Sequence, residues 1–478
     1  MLKTWDIFDT LIARRCVVPQ MIFSLVENVS QVKNFVPVRS ASEHNVATRG
    51  INYNLDDIYD EFRKLTNAPQ NLCDKLKELE IEVELDQCIP ITENLRQVKS
   101  GDILISDMYL PEKIIRKMLN KAGLLVPVEI VITSGGKSSG RIWKQIAEQN
   151  EFVFHVGDNN ISDVQKPRQY DFDSSLSNLS TPNQFEVWLL QRNFQFGAYL
   201  REIRLRNPFT EEIKRTYWTI FTINIGILII LVQLIDKLQK VYGFEYLGFC
   251  GRDTYYLRLL YQKYKADIKE EPVANDYLYY SRKLVRHSEE SISKYFSSKI
   301  AGRKALMIDL TGTGIHLNKL RFEKNLDYSM LICFLMGNGD LSRKWYPNEK
   351  NHPEDWILFD GGINGTDKFT KNFTFIKGKA NNTLEFVNRA THNTPIRLNA
   401  IQIDNKIVPD VTFSEVNDTE NFDVLKTCLK EVLQSNVSWQ GGGDILSLLE
   451  TLNGMVEIFC ALGNNHLLHE SHNRNDGV

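Results

Sequence analysis

Asp6 closes the short apolar lead "MLKTWD", and a second acid, Asp9, follows three positions later beside Thr10. Further along, Ser106 follows "DILI", Lys137 sits in "SGGKSSGRIWK", and Asp158 and Asp163 share "GDNNISD". A carboxylate at a strand end can accept a phosphoryl group as an aspartyl-phosphate. The charge on the transferring oxygens then calls for a cation, a lysine and short hydroxyl or amide donors. Hard Mg2+ takes carboxylate oxygens and water, which Asp6, Asp158 and Asp163 can supply without histidine or cysteine. Each residue alone has an ordinary structural reading: Ser106 a helix cap, Lys137 a solvated charge, Asp163 a turn residue. Together and in this order they point to phosphoryl chemistry.

A second group of polar residues lies in the other half of the chain. In "FCGRDTYYL", Arg252 and Asp253 fall between an apolar strand and a helix, a plausible anion-binding corner. In "ALMIDLTGTGIHL", Asp309 ends a strand, and Thr311, Gly312, Thr313 and Gly314 form a turn able to present backbone amides to a phosphate. The GK[ST] ending of a Walker motif is missing, and a tight strand–helix connection is the structural alternative. These residues are candidate substrate-binding positions. "YYSRKLVRH" (279–287) adds local positive charge that a solvated helix face would also explain.

The bulk numbers set the frame. With 478 residues the chain exceeds one ordinary core, so two or three domains are expected. A net charge of -3 gives no global basic footprint, and no nucleic-acid partner is expected. Seven cysteines, at 16, 73, 88, 250, 333, 428 and 460, form no CxxC pair, which suits a reducing compartment. The histidines of the polar tail "HLLHESH" show no ligand spacing. The lead before Asp6 is too short for a secretory signal, so a cytoplasmic location is expected. From Thr216 to Ile235, "TYWTIFTINIGILIILVQLI" carries no charge and is long enough to span about 30 Å as a helix. Asn224, Gln233 and three threonines interrupt it, favouring a buried helix over membrane contact.

The elements that must position these residues alternate. Residues 1–12 read as a strand and loop, and about 15–95 as a helical insert with apolar residues three and four apart. Asn54 is a candidate cap for a helix opening at Leu55. "DILIS", "VEIVIT" and "FVFHVGD" read as strands, separated by helices over "PEKIIRKMLNKAGL" and "SSGRIWKQIAEQN". That rhythm predicts an α/β, doubly wound parallel sheet with ligands at the carboxyl ends of its strands. The Ser/Asn/Pro-rich "DSSLSNLSTPNQ" predicts a linker. The expected organisation is a hydrolase-like domain over 1–175, a linker over 176–215, and a second α/β domain over 216–400. A β/helical C-terminal extension with a polar tail follows over 401–478, with helices near 421–435 and 444–462.

The ordered set "DIFDTL", Ser106 in "ILISDMYLP", Lys137 and "GDNNISD" resembles the four motifs of the haloacid dehalogenase (HAD) superfamily, whose members are mostly phosphatases. "VRSASEH" and "EIEVELD" in the insert, with "QGGGDILSLLE" near the end, resemble a bacterial subgroup of large two-part hydrolases encoded beside surface-polysaccharide glycosyltransferases. The resemblance implies a HAD-type sheet with a helical cap over 15–95. It implies Asp6 as nucleophile and metal ligand, the Phe8 carbonyl, Asp158 and Asp163 as further Mg2+ ligands, and Ser106 and Lys137 as phosphate holders. It also brings a departure, because most phosphatases of the superfamily have a second catalytic aspartate where this chain has Phe8. Asp9, or a residue of the insert, is the candidate replacement.

The expected function is thus Mg2+-dependent hydrolysis of a small phosphorylated, sugar-derived metabolite through an aspartyl-phosphate, with polysaccharide-pathway enzymes as possible partners. The alternatives are phosphonate or halide cleavage, phosphoryl transfer, or a non-catalytic phosphoglycan-binding or assembly role.

Overall fold

The structure is a computed structural model. It describes residues 2–49, 52–150, 152–312, 314–335, 355–360, 374–377, 388, 395–404, 406–413, 420–435 and 444–463. The chain divides into two units, Met1–Thr210 and Glu211–Val478.

Unit 1 runs β1 (Leu2–Asp6), β2 (Ile12–Arg14), α1 (Met21–Ser30), α2 (Phe35–Arg49), α3 (Leu55–Thr66), α4 (Gln70–Gln87), β3 (Cys88–Pro90) and α5 (Thr92–Leu95). It continues through β4 (Ile103–Asp107), α6 (Glu112–Lys121), β5 (Glu129–Thr133), α7 (Arg141–Ala147), β6 (Val153–Gly157), α8 (Lys166–Arg168), β7 (Asp173–Leu176), α9 (Gln184–Arg192) and α10 (Phe194–Leu205). The sheet order is β5-β4-β1-β6-β7, and every pairing is parallel. Helices flank it, as strand–helix alternation requires. Trp5, Leu104, Ile115 and Met118 fill the core on one side, and Ile105, Trp143, Val153 and Phe172 form a second apolar cluster. Asp6 pairs in register with Ile105, so the carboxyl ends of β1 and β4 lie side by side.

Helices α1–α4 are inserted between β2 and β3, which pair antiparallel at the base of the insert. The predicted cap is present: the Asn54 side chain accepts from the backbone N–H groups of Asp56 and Asp57, and Asp57 reciprocates as a capping box. The interior of the insert is partly ionic. Arg39 is fully buried and donates from Nε and Nη2 to the two oxygens of Glu80 at 2.8 and 2.7 Å, and the Tyr59 hydroxyl donates to Glu80 at 2.9 Å. The Arg39 guanidinium also stacks over Phe23 and Tyr109, 4.5 and 4.9 Å from the ring centroids. Removing one partner strands the other charge without water. Arg39→Met is therefore expected to destabilise unit 1 by about 3–5 kcal/mol. Urea unfolding checks this, and an unchanged midpoint would show that Glu80 relaxes to solvent.

The segment expected as a linker, 176–215, instead contains α9 and α10, and unit 1 extends to Thr210. Its Ser/Asn/Pro content serves turns and caps. Asn183 and Glu186 form a capping box on α9, and buried Arg201 donates to the carbonyls of Ser180 and Arg14.

Unit 2 begins with α11 (Glu212–Tyr242), β8 (Tyr246–Cys250), α12 (Tyr255–Asp267), β9 (Ala274–Leu278), α13 (Arg282–His287) and α14 (Glu289–Ile300). It continues with β10 (Ala305–Gly312), α15 (Ile315–Glu323), β11 (Ser329–Leu335), β12 (Trp356–Asp360), β13 (Thr374–Lys377), β14 (Pro395–Ile403) and β15 (Lys406–Phe413). Two closing helices, Glu420–Gln434 and Ile445–Gly463, match the predicted ones. The second sheet, β13-β12-β11-β10-β8-β9, is also parallel throughout. The boundary expected at residue 400 falls inside β14, which pairs antiparallel with β15. Helix α11 is the one described helix long and apolar enough to cross a membrane, and 89% of its apolar window is buried. Its Asp236 takes the buried Lys265 ammonium at 2.9 Å, a pairing suited to a core helix. The histidine tail lies outside the described residues.

Candidate active site

Asp6, Ser106, Lys137, Asp158 and Asp163 converge at the carboxyl ends of β1, β4 and β6, where a parallel sheet gathers its ligands. They line a cavity of 320 Å³ that Phe8, Asp9 and the insert residues Phe23 and Glu43 also border.

Lys137 joins two of the acids. Its Nζ donates to Asp6 Oδ1 at 2.6 Å and lies 2.5 Å from Asp163 Oδ1. Lys137 precedes α7, and two neighbours hold its loop: Asp107, and Trp143, whose Nε1 donates to the Lys137 carbonyl at 3.1 Å. The Asp107 carboxylate accepts the backbone N–H groups of Gly136 and Lys137 at 3.2 Å. At Gly136, a Cβ would meet Thr133 Oγ1 at 2.1 Å, so a side chain there would push the lysine loop out of place.

Asp163 is fixed from three sides. Its Oδ2 accepts the backbone N–H of Asn159 at 3.0 Å, its Oδ1 faces Lys137, and His155 Nε2 lies 3.4 Å from the same oxygen. Thr4 and His155 are register partners on β1 and β6, and the Thr4 hydroxyl is 2.8 Å from His155 Nδ1. The Nε2-protonated tautomer satisfies both contacts, with the hydroxyl donating to Nδ1. Gly157 is required because a Cβ would sit 2.4 Å from Asp163 Cγ.

The charges do not balance. Asp6, Asp158 and Asp163 offer oxygens within 4.8 Å of one another, against the single Lys137 ammonium. Burial raises the Asp6 carboxyl to about 7, with Lys137 opposing and the negative charges of Asp163 and Asp158 adding to the rise. Burial, then the charges of Asp9 and Asp163, lift Asp158 to about 6. Burial also disfavours the charge on Asp163, but the His155 hydrogen bond and Lys137 outweigh it and hold that carboxyl at about 2. Burial keeps His155 neutral, lowering it to about 4. Asp6 Oδ2 is buried with no hydrogen-bond partner. An orphaned carboxylate oxygen beside two further carboxylates is a donor set that suits a hard divalent cation.

After Asp6 the chain turns back at once: Leu11 and Ile12 donate to the Ile7 carbonyl, and Asp9 donates to Ile12. Asp9 takes φ 57°, a left-handed conformation that aspartate tolerates better than most residues. Its carboxyl is raised by burial, with Arg201 and Arg14 opposing, and Arg201 Nη2 lies 3.9 Å away. The Phe8 ring packs under the Arg14 guanidinium, 4.5 Å from its centroid, while Arg14 itself is clasped by both oxygens of Glu84 at 2.9 and 2.8 Å.

Sequence reasoning missed Asp107, His155 and the Arg14–Glu84 pair. Strand alternation offered one signal, since His155 stands two residues before Gly157 on β6. In unit 2, Asp253, Asp309, Thr311 and Gly312 come together at the ends of β8 and β10, but not as an amide cradle. Asp253 Oδ2 accepts both the Thr311 backbone N–H, at 3.0 Å, and the Thr311 hydroxyl. Both acids are buried, and a Cβ at Gly312 would lie 2.4 Å from Asp309 Oδ2. The Thr311 amide is thus already taken by a carboxylate, which braces the strand–helix connection at this point. Of the other expected residues, Thr313 and the Arg252 side chain lie outside the described residues. A comparison of the chain with protein-family profiles and with curated proteins returns no match.

Proposed function

We propose that unit 1 is a HAD-type, Mg2+-dependent phosphohydrolase that works through a phosphoryl group on Asp6. The observation that carries this reading is the buried, unpartnered Asp6 Oδ2 within an Asp6–Asp158–Asp163 cluster braced by Lys137. Asp6, Asp158 and Asp163, with the Phe8 carbonyl by resemblance, would hold the cation, which supplies electrostatic stabilisation of phosphoryl oxygens. The Asp6 carboxylate attacks phosphorus, the phosphorus–oxygen bond to the organic group breaks, and water then releases phosphate from the acyl phosphate. Lys137 and Ser106 offset charge on the phosphoryl oxygens. Asp107 and His155 are positioning residues, the first for the lysine loop and the second for Asp163. Asp9, lining the same cavity with a raised pKa, is only a partial substitute for the leaving-group acid that Phe8 replaces. The helical insert over the cavity would act as the cap.

A second reading, phosphonate cleavage, is favoured by Phe8, because its leaving group does not need a proton from an acid at that position. The test is a hydrolysis screen over sugar phosphates, nucleotides, acyl phosphates and phosphonates, with and without Mg2+. Mg2+-dependent release of phosphate from an ester supports the main reading, and release from phosphonates alone supports the second.

The acid cluster also sets a pH dependence. The folded-state values of Asp6 and Asp158, about 7 and 6, lie above the ordinary 3.8, so the fold holds extra protons between about pH 4 and 7. Cation-free stability from these two groups therefore falls as pH rises through that window. The depressed Asp163 acts oppositely but only below about pH 4, and neutral His155 favours the fold above its unfolded 6.5, losing that contribution as pH falls toward 4. Mg2+ replaces the protons on Asp6 and Asp158, so its stabilisation is expected to be larger at pH 8 than at pH 5. At a hundred times its Kd the increment is about 2.7 kcal/mol. Thermal unfolding with and without Mg2+ reads this, and equal shifts at the two pH values would contradict the assignment of these carboxylates.

A further inference from the structure

A second cavity of 780 Å³, more than twice the volume of the one around Asp6, adjoins it, and Met108 and Tyr109 line both. Its walls come from the turn after β4, the end of β5, the start of α7 and the segment leading into α3. Two acids reach it, and each has a cation of its own. Asp56 pairs with Lys77 at 2.8 Å, and Glu112 pairs with Arg116 at 2.7 Å.

Arg141 is different. Its Nη2 donates to Asn52 Oδ1 at 2.6 Å and to Thr133 Oγ1 at 3.3 Å, both uncharged acceptors. Among the described residues no carboxylate lies within ion-pair distance of it. The guanidinium is thus anchored on Nη2, and among the described residues Nε and Nη1 carry no hydrogen bond. An arginine held in this way offers its charge and single N–H donors from Nε and Nη1 to a carboxylate or phosphate, and loses little rotamer freedom when it binds one. The anchor also ties the insert to the sheet: Asn52 donates its backbone N–H to the Ser134 carbonyl at 3.3 Å, and the Ser134 hydroxyl donates to the Tyr53 carbonyl at 2.7 Å.

We infer that this second cavity receives the part of the substrate that is not transferred, and that this part carries a second anionic group which docks on Arg141. The inference rests on the phosphohydrolase reading for the identity of the first site. The substrate class is then a phosphate ester bearing a further carboxylate or phosphate, with a body large enough to reach from one cavity into the other. Only three residues lie between Lys137 and Arg141, so one loop and the first turn of α7 present a cation to each cavity.

The experiment uses the full chain with Mg2+ and two matched substrate pairs. Glycerol 3-phosphate against 3-phosphoglycerate tests an added carboxylate, and fructose 1-phosphate against fructose 1,6-bisphosphate tests an added phosphate. In the wild type, kcat/KM is expected to favour the member with the second anionic group in at least one pair. Arg141→Gln should remove that preference by a factor on the order of 10 to 100, mostly through KM, and leave the simpler member unchanged. Arg141→Lys, which keeps the charge without the anchored guanidinium, should retain part of it. Thermal unfolding of both variants verifies the fold. Equal losses on both members of each pair, or no preference in the wild type, would overturn the inference while leaving the phosphohydrolase reading intact. If no phosphate is turned over, that reading fails, and calorimetric titration with fructose 1,6-bisphosphate decides the anion site alone. Binding lost in Arg141→Gln sustains it, and binding absent or unchanged overturns it.

Discussion

Asp6→Asn is expected to lower hydrolysis of every phosphate substrate by a factor on the order of 10⁴–10⁶, because it removes the nucleophile rather than an assistant. The fold should survive. The asparagine carbonyl can still accept from Lys137, which remains paired with Asp163 at 2.5 Å. Removing one of three crowded carboxylates also relieves repulsion, so the thermal midpoint without Mg2+ should not fall. The residual rate of the purified, folded variant is the quantity to measure. Wild-type turnover would contradict a covalent step on Asp6, whereas a loss of turnover together with unfolding would require the comparison to be repeated with Asp6→Glu.

Phe8→Asp is expected to act in the opposite direction. General acid assistance contributes roughly 10²–10⁴ in rate, and an alkyl phosphate needs it far more than an acyl phosphate. The ratio of kcat/KM for alkyl over acyl phosphate should therefore rise by about 10² or more in the folded variant. The surroundings will shape this gain. Arg14, now 4.5 Å from the Phe8 ring centroid, would favour the ionised form of a new carboxylate, while nearby Asp9 would disfavour it. Losing the ring from beneath the guanidinium should cost a few kcal/mol, since the aromatic face contributes both packing and cation–π attraction. An unchanged ratio in a folded variant would mean that Asp9 already supplies the proton.

The first sheet was legible because its strands are short apolar runs separated by helical periods, and Pro111, Gly123 and Asn54 punctuate the helices. Residues 6, 106, 137, 158 and 163 were legible for the same reason, since a carboxyl strand end is where a parallel sheet exposes side chains. The ionic interior of the insert was not. Glu80 and Glu84 stand in the acid-rich "KELEIEVELD" and read locally as a solvated face, yet both are buried on partners distant in sequence, Arg39 and Arg14. Local pattern carries no information on such pairings. Asp107 escaped notice because its role is to accept backbone amides from a loop 29 and 30 residues away. The 176–215 segment misled in another way: serine and asparagine mark caps as readily as linkers, and Asn183 is a cap. At 309–312 the sequence offered a turn with free amides, but the strand order that sets β8 beside β10 brings Asp253 onto the Thr311 amide.

Capture of the phosphorylated protein tests the central claim most directly. Full-length chain turning over acetyl phosphate with Mg2+ is quenched in acid, digested and examined by mass spectrometry. A phosphoryl adduct on Asp6, present during turnover and missing without Mg2+, is the predicted result. Turnover with no adduct on Asp6, or an adduct on another residue at full occupancy, would contradict it.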